Sequence, residues 1–98
     1  MPSRSGTCIV VGASSGIGLA VARRLALAGR KVAMLARRES ELRAQVATTN
    51  DVLGREGAFA YVHDAADLDA AEPLFARIEQ DLGPVDEVHY VDRPEVLF

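Results

Sequence analysis

A short β-branched run, Thr7 to Val11, leads straight into Gly12-Ala13-Ser14-Ser15-Gly16-Ile17-Gly18, and apolar residues then recur at helical spacing: Ile17, Val21, Leu25 and Ala28. Strand, glycine-rich turn and helix in that order leave few folds open. The first amides of a helix have no intrahelical acceptor and the helix dipole adds partial positive charge at the same end, so such a turn is an anion site. Gly12 permits a sharp exit from the strand, Gly16 removes side-chain bulk where phosphates would lie, and Gly18 lets helix and strand pack closely. Ser14 and Ser15 add hydroxyl donors, and Ile17, between the last two glycines, completes the candidate set. The spacing is G-x3-G-x-G, a departure from the general G-x-G-x-x-G. Taken alone, the three glycines also fit a turn that binds nothing.

The rest of the chain repeats the same alternation. Lys31 to Leu35 reads as a second strand, followed by a helical pattern through Leu42, Val46 and Leu53 that reaches Gly54 or Gly57. Thr48, Thr49 and Asn50 weaken that helix near its end. Ala58 to His63 is a third strand. Leu74, Ile78 and Leu82 mark a third helix, stopped by Gly83-Pro84 and capped at its start around Asp67 to Asp69, because Pro73 is tolerated only near the beginning. Val85 to Val91 is a fourth strand. Short apolar strands alternating with helices imply an α/β fold with a parallel sheet and right-handed crossovers.

The 98 residues allow one domain, 1–98, with a modest core. Net charge is −3, which gives no general attraction for nucleic acid or an anionic membrane, and no apolar run approaches the roughly 20 residues of a membrane span. Met1 to Thr7 lacks the apolar segment of a secretory signal although Arg4 could open one, so the expected compartment is the cytoplasm. Cys8 is the single cysteine, read as a buried filler residue, and it excludes an intrachain disulfide. Two histidines and scattered carboxylates give no metal-ligand spacing. His63 reads as a partly buried strand-end residue and His89 likewise, because neither has a catalytic partner nearby in sequence.

With "VGASSGIG", "VARRLALAG", "VAMLARRESEL", "HDAADLD" and "LGPVDEV" in this order, the chain resembles the N-terminal, cofactor-binding half of the short-chain dehydrogenase/reductases over about residues 7–88. Val11 stands where that family usually has threonine. The resemblance implies a three-layer, Rossmann-like half fold: a four-stranded parallel sheet in the order 3-2-1-4, three helices, the first two on one face and the third on the other. It also implies a nicotinamide cofactor. An acidic residue at the end of the second strand would bind the adenosine ribose and favour NAD. Ala36 occupies that place, followed by Arg37 and Arg38, whose guanidinium groups can pair with a 2′-phosphate and so favour NADP(H) over NAD. By resemblance Arg37 is the phosphate ligand, with Arg38 assisting or stacking beside adenine. The alternative is a pair of solvated charges at a helix entrance. Asp64 would accept from the adenine amino group and the Ala65 amide would meet a ring nitrogen, unless Asp64 only caps a loop.

Residues 89–98 diverge. Tyr90, Val91, Asp92 and Arg93 stand where the family carries N-N-A-G, and Pro94 follows. The resemblance places the catalytic serine and the Tyr-x-x-x-Lys pair further along the family's sequences, and none is present in these 98 residues: Tyr61 and Tyr90 lack a following lysine, and Lys31 is the single lysine. The expectation is a truncated NADP(H)-binding half of an oxidoreductase, inactive alone. The alternative is a non-catalytic module that binds a nucleotide or a protein partner. A homodimer through the uncovered edge of the fourth strand is the expected partner state, with the segment from Glu87 to Phe98 either mediating it or folding back as a plug.

Overall fold

Apolar strands and amphipathic helices alternate as β1 (Thr7–Val11), α1 (Gly16–Leu27), β2 (Lys31–Ala36), α2 (Glu39–Leu53), β3 (Ala58–Val62), α3 (Leu68–Leu82) and β4 (Val85–Tyr90) in a computed structural model that describes residues 6–91. Arg4, Asp92, Arg93, Pro94 and the plug role expected of the last residues lie outside the described residues. The sheet order is β3-β2-β1-β4 and every pairing is parallel, as expected.

β1 and β2 occupy the middle of the sheet, and their side chains alternate between two cores. Val10, Val32 and Met34 pack with Ala22 and Ala26 of α1 and Leu42 of α2, while Ile9, Val11, Ala33 and Leu35 pack with Ile78 and Leu82 of α3. Burial on both faces explains why these strands read as continuous apolar runs rather than alternating ones. Cys8 is fully buried, and burial pushes its thiol up from the ordinary value, which makes it a filler and not a nucleophile.

The helix ends follow local chemistry. Gly54 takes the left-handed conformation after α2, φ 74°, and its N–H donates to the Asn50 carbonyl at 2.9 Å. Asp67 caps α3, its carboxylate accepting from the Ala70 N–H at 3.2 Å. Pro73 lies further inside α3 than a first-turn proline. The residues expected to weaken α2 instead join it to its neighbours. Buried Thr49 accepts from Arg23 of α1 at 3.3 Å, and Asn50 binds the backbone of Gly57 and Ala58 at the start of β3.

β4 is the least regular strand. Its register against β1 shifts between Thr7 and Cys8, and its side chains alternate between half-buried and exposed. Glu87 and Asp86 reach back to Arg30, which is 4% exposed and bonds both carboxylates at 3.2 Å. Removing either carboxylate leaves a buried guanidinium less compensated, which is costly to the fold. Val88 and Tyr90 face outward on the same strand.

Candidate functional site

The turn after β1 is held by a shared acceptor. The N–H groups of Gly12 and Ala13 both donate to the Leu35 carbonyl, at 2.8 and 3.0 Å, so the turn is tied to the end of β2. Gly12 and Gly16 have φ of 88° and 60°, in the region that favours glycine, and a Cβ on Gly16 would meet only open space. At Gly18 the constraint is contact: a Cβ there would overlap the Gly12 carbonyl, so glycine is required for α1 to seat against β1. Ser15 occupies the N-cap position of α1, but its hydroxyl makes no capping bond, and the Leu19 N–H to Ser15 carbonyl bond, at 3.3 Å, opens the helix. The first amides of α1 are thus left uncapped by Ser15 beside the space in front of Gly16. Ile17 is 73% exposed at the same end.

A cleft of about 270 Å³ opens at this end of the sheet, lined by Val11, Gly12, Ser14, Ser15, Ala36, Arg37, Arg38, Glu41 and His63. The structure therefore brings together the turn and both arginines. Among the described residues Arg37 has no hydrogen-bond or ion-pair partner, whereas Arg38 Nη1 bonds Glu41 Oε2 at 3.2 Å. Gly16, Ile17 and Gly18 stand at the helix start beside the cleft and are not part of its lining.

Asp64 and Ala65 lie just past β3 and also outside the lining. One Asp64 oxygen accepts from the Ala66 N–H at 2.9 Å, and the Asp64 carbonyl accepts from the Asp67 N–H at 2.8 Å, so its carboxylate does form a local turn. His63 is a lining residue that sequence reasoning set aside. It is 6% exposed, and its N–H donates to the Ala36 carbonyl at 2.9 Å, which places it beside the end of β2. Glu41 was missed as well, although an arginine and a glutamate three residues apart at a helix start were a readable signal.

Among the described residues no group of His, Cys, Asp and Glu could hold a metal ion, and no helix is long and apolar enough to cross a membrane. The residues present fit an elongated anion: the start of α1, uncapped by Ser15, stands beside the cleft, two guanidinium groups line it, and Gly16 puts no side chain in front of its own backbone.

Comparison with known proteins bears on the family and the fold. The family model described as short chain dehydrogenase matches residues 6–90. A short chain dehydrogenase of Pseudocercospora fijiensis is 44% identical over 82 residues, covering 82% of this chain and 25% of the relative. The 3-oxoacyl-[acyl-carrier-protein] reductase MabA of Mycobacterium tuberculosis is 34% identical over 85 residues, covering 87% of this chain and 29% of the relative. A crystal structure of a variant actinorhodin polyketide ketoreductase with NADPH superimposes with a TM-score of 0.83 at 35% identity, covering 95% of this chain and 35% of that one. The chain thus spans between a quarter and about a third of the length of these proteins.

Proposed function

The chain belongs to the short-chain dehydrogenase family, and from that premise we propose that it is the NADP(H)-binding half of an oxidoreductase. The observation that carries the choice of cofactor is Arg37. It stands in the cleft directly after Ala36, which occupies the strand-end position where an acidic residue would repel a 2′-phosphate, and among the described residues it is unpaired. A planar guanidinium matches phosphate oxygens bidentately. The structure of the polyketide ketoreductase with NADPH supports the same choice.

In this reading the amides of Gly16, Ile17 and Gly18 and the hydroxyls of Ser14 and Ser15 hold the pyrophosphate, while Gly12 keeps the strand exit open. Arg37, with Arg38, holds the 2′-phosphate, and Asp64 with the Ala65 amide meets the adenine edge. The bound cofactor supplies a hydride to a carbonyl substrate or accepts one from an alcohol. The two reductases among the relatives support a carbonyl group as the substrate class of the whole protein. The 98 residues carry no Tyr-x-x-x-Lys pair, which supports binding without turnover by this chain alone. The outward Val88 and Tyr90 on edge strand β4 support a homodimer through that edge, which light scattering coupled to size exclusion would read as twice 10.5 kDa.

Calorimetric titration of NADP+ and NAD+ against the wild-type chain and Arg37→Asp tests the cofactor reading. One charge-assisted contact is worth roughly 1.5–3 kcal/mol, or about 10- to 150-fold in affinity, so the wild type should prefer NADP+ and the variant, with repulsion in place of attraction, should reverse that preference. Equal affinities for the two cofactors in the wild type would refute it.

A further inference from the structure

The cleft contains a carboxylate that an anion site has no evident use for. Glu39 and Glu41 both lie in the first turn of α2, where negative charge suits the helix dipole. Glu39 is engaged by Arg43 at 2.8 Å, and of the two only Glu41 lines the cleft, bonded to Arg38. The two arginines are therefore not equivalent: Arg37 is unpaired among the described residues and Arg38 is held. Arg38 and Glu41 side chains are 74% and 52% exposed, so the pair is weak enough for a doubly charged phosphate to compete for the guanidinium.

We propose that Glu41 is a specificity-determining residue that restrains 2′-phosphate binding by holding Arg38, an inference that rests on the cofactor reading above. Arg37 then provides the standing attraction, and Arg38 contributes only when it exchanges Glu41 for the phosphate. Removing the Glu41 charge frees Arg38 and removes a like charge from the cleft. Glu41→Gln keeps the side-chain shape and should bind the phosphorylated ribose more tightly.

The probes are 2′,5′-ADP and 5′-AMP, which differ by the 2′-phosphate alone, titrated calorimetrically against the 98-residue chain. Glu41→Gln should raise affinity for 2′,5′-ADP by about three- to tenfold and leave 5′-AMP unchanged. In an Arg38→Met background no guanidinium is left to release and only the direct repulsion by Glu41 remains, which solvent screens at this exposed position, so the same substitution should gain less than about twofold. Unchanged 2′,5′-ADP affinity in Glu41→Gln, or a gain shared equally by both nucleotides, would overturn the inference while wild-type discrimination between the probes leaves the cofactor reading standing. A gain undiminished in Arg38→Met would overturn the role of Arg38. A wild-type chain that binds both probes equally would overturn the cofactor reading itself, and the inference with it.

Discussion

Asn50→Ala tests how the end of α2 is joined to the start of β3. The Asn50 side chain makes three hydrogen bonds there: Oδ1 accepts from the Gly57 and Ala58 N–H groups, both at 2.9 Å, and Nδ2 donates to the Ala58 carbonyl at 3.0 Å. At about 1 kcal/mol net per bond, alanine removes about 3 kcal/mol. Its better helix propensity returns about 0.6 kcal/mol. The expected net loss of about 2–2.5 kcal/mol is a large part of the roughly 5–15 kcal/mol that stabilises a domain. With a urea m-value of about 1–2 kcal/mol/M, the unfolding midpoint falls by roughly 1–2.5 M. Asn50→Asp divides the contact, keeping both acceptor bonds while losing the donor to Ala58, so its midpoint at neutral pH should lie between those of the other two proteins. Equilibrium urea unfolding followed by far-ultraviolet circular dichroism measures all three. An alanine variant within about 0.5 kcal/mol of wild type would refute the reasoning, since water would then replace the side chain at no loss.

Gly18→Ala forces a Cβ into the Gly12 carbonyl, and because both groups belong to packed elements the expected loss is about 1–3 kcal/mol; an unchanged thermal unfolding curve would contradict it. The hydrogen bond from His89 and then that from Arg30 hold the Glu87 carboxyl below its usual 4.5. A depressed folded-state pKa means that the unfolded chain takes up the proton first, so this stabilisation is complete above about pH 4.5 and is lost as pH falls through the folded value. Glu87→Gln should flatten the acid limb of a stability–pH curve, and superimposable acid limbs would remove the claim.

The order of elements was readable because fully apolar strands and helical periodicity are local patterns, and the parallel sheet followed from the length of the connections. The glycine turn was readable for the same reason: Gly12, Gly16 and Gly18 meet their backbone and packing constraints within seven residues. What local patterns hide is long-range pairing. Thr49 and Asn50 looked like helix breakers because propensity scores a residue against solvent, whereas here their polar atoms meet Arg23 and the start of β3. His63 enters the cleft only through the register that sets it beside Ala36, and no spacing along the chain contains that information. Tyr90 and Val91 stand where the resemblance expects an N-N-A-G motif, yet they continue beside β1, with the Val91 N–H donating to the Val11 carbonyl at 2.9 Å. Backbone pairing with an apolar central strand tolerates such side-chain changes at an edge.

The Leu35 carbonyl that receives Gly12 and Ala13 lies two residues before Arg37. Turn and arginines are therefore two jaws of one caliper, hinged on the backbone of adjacent strands, with guanidinium tips that stay free to swing. Under the proposed cofactor reading, a ligand with an anionic group at each end is gauged by its length as well as by its charge. Inserting one residue between Ala36 and Arg37 would reset that gauge by shifting both arginines while leaving the turn unchanged.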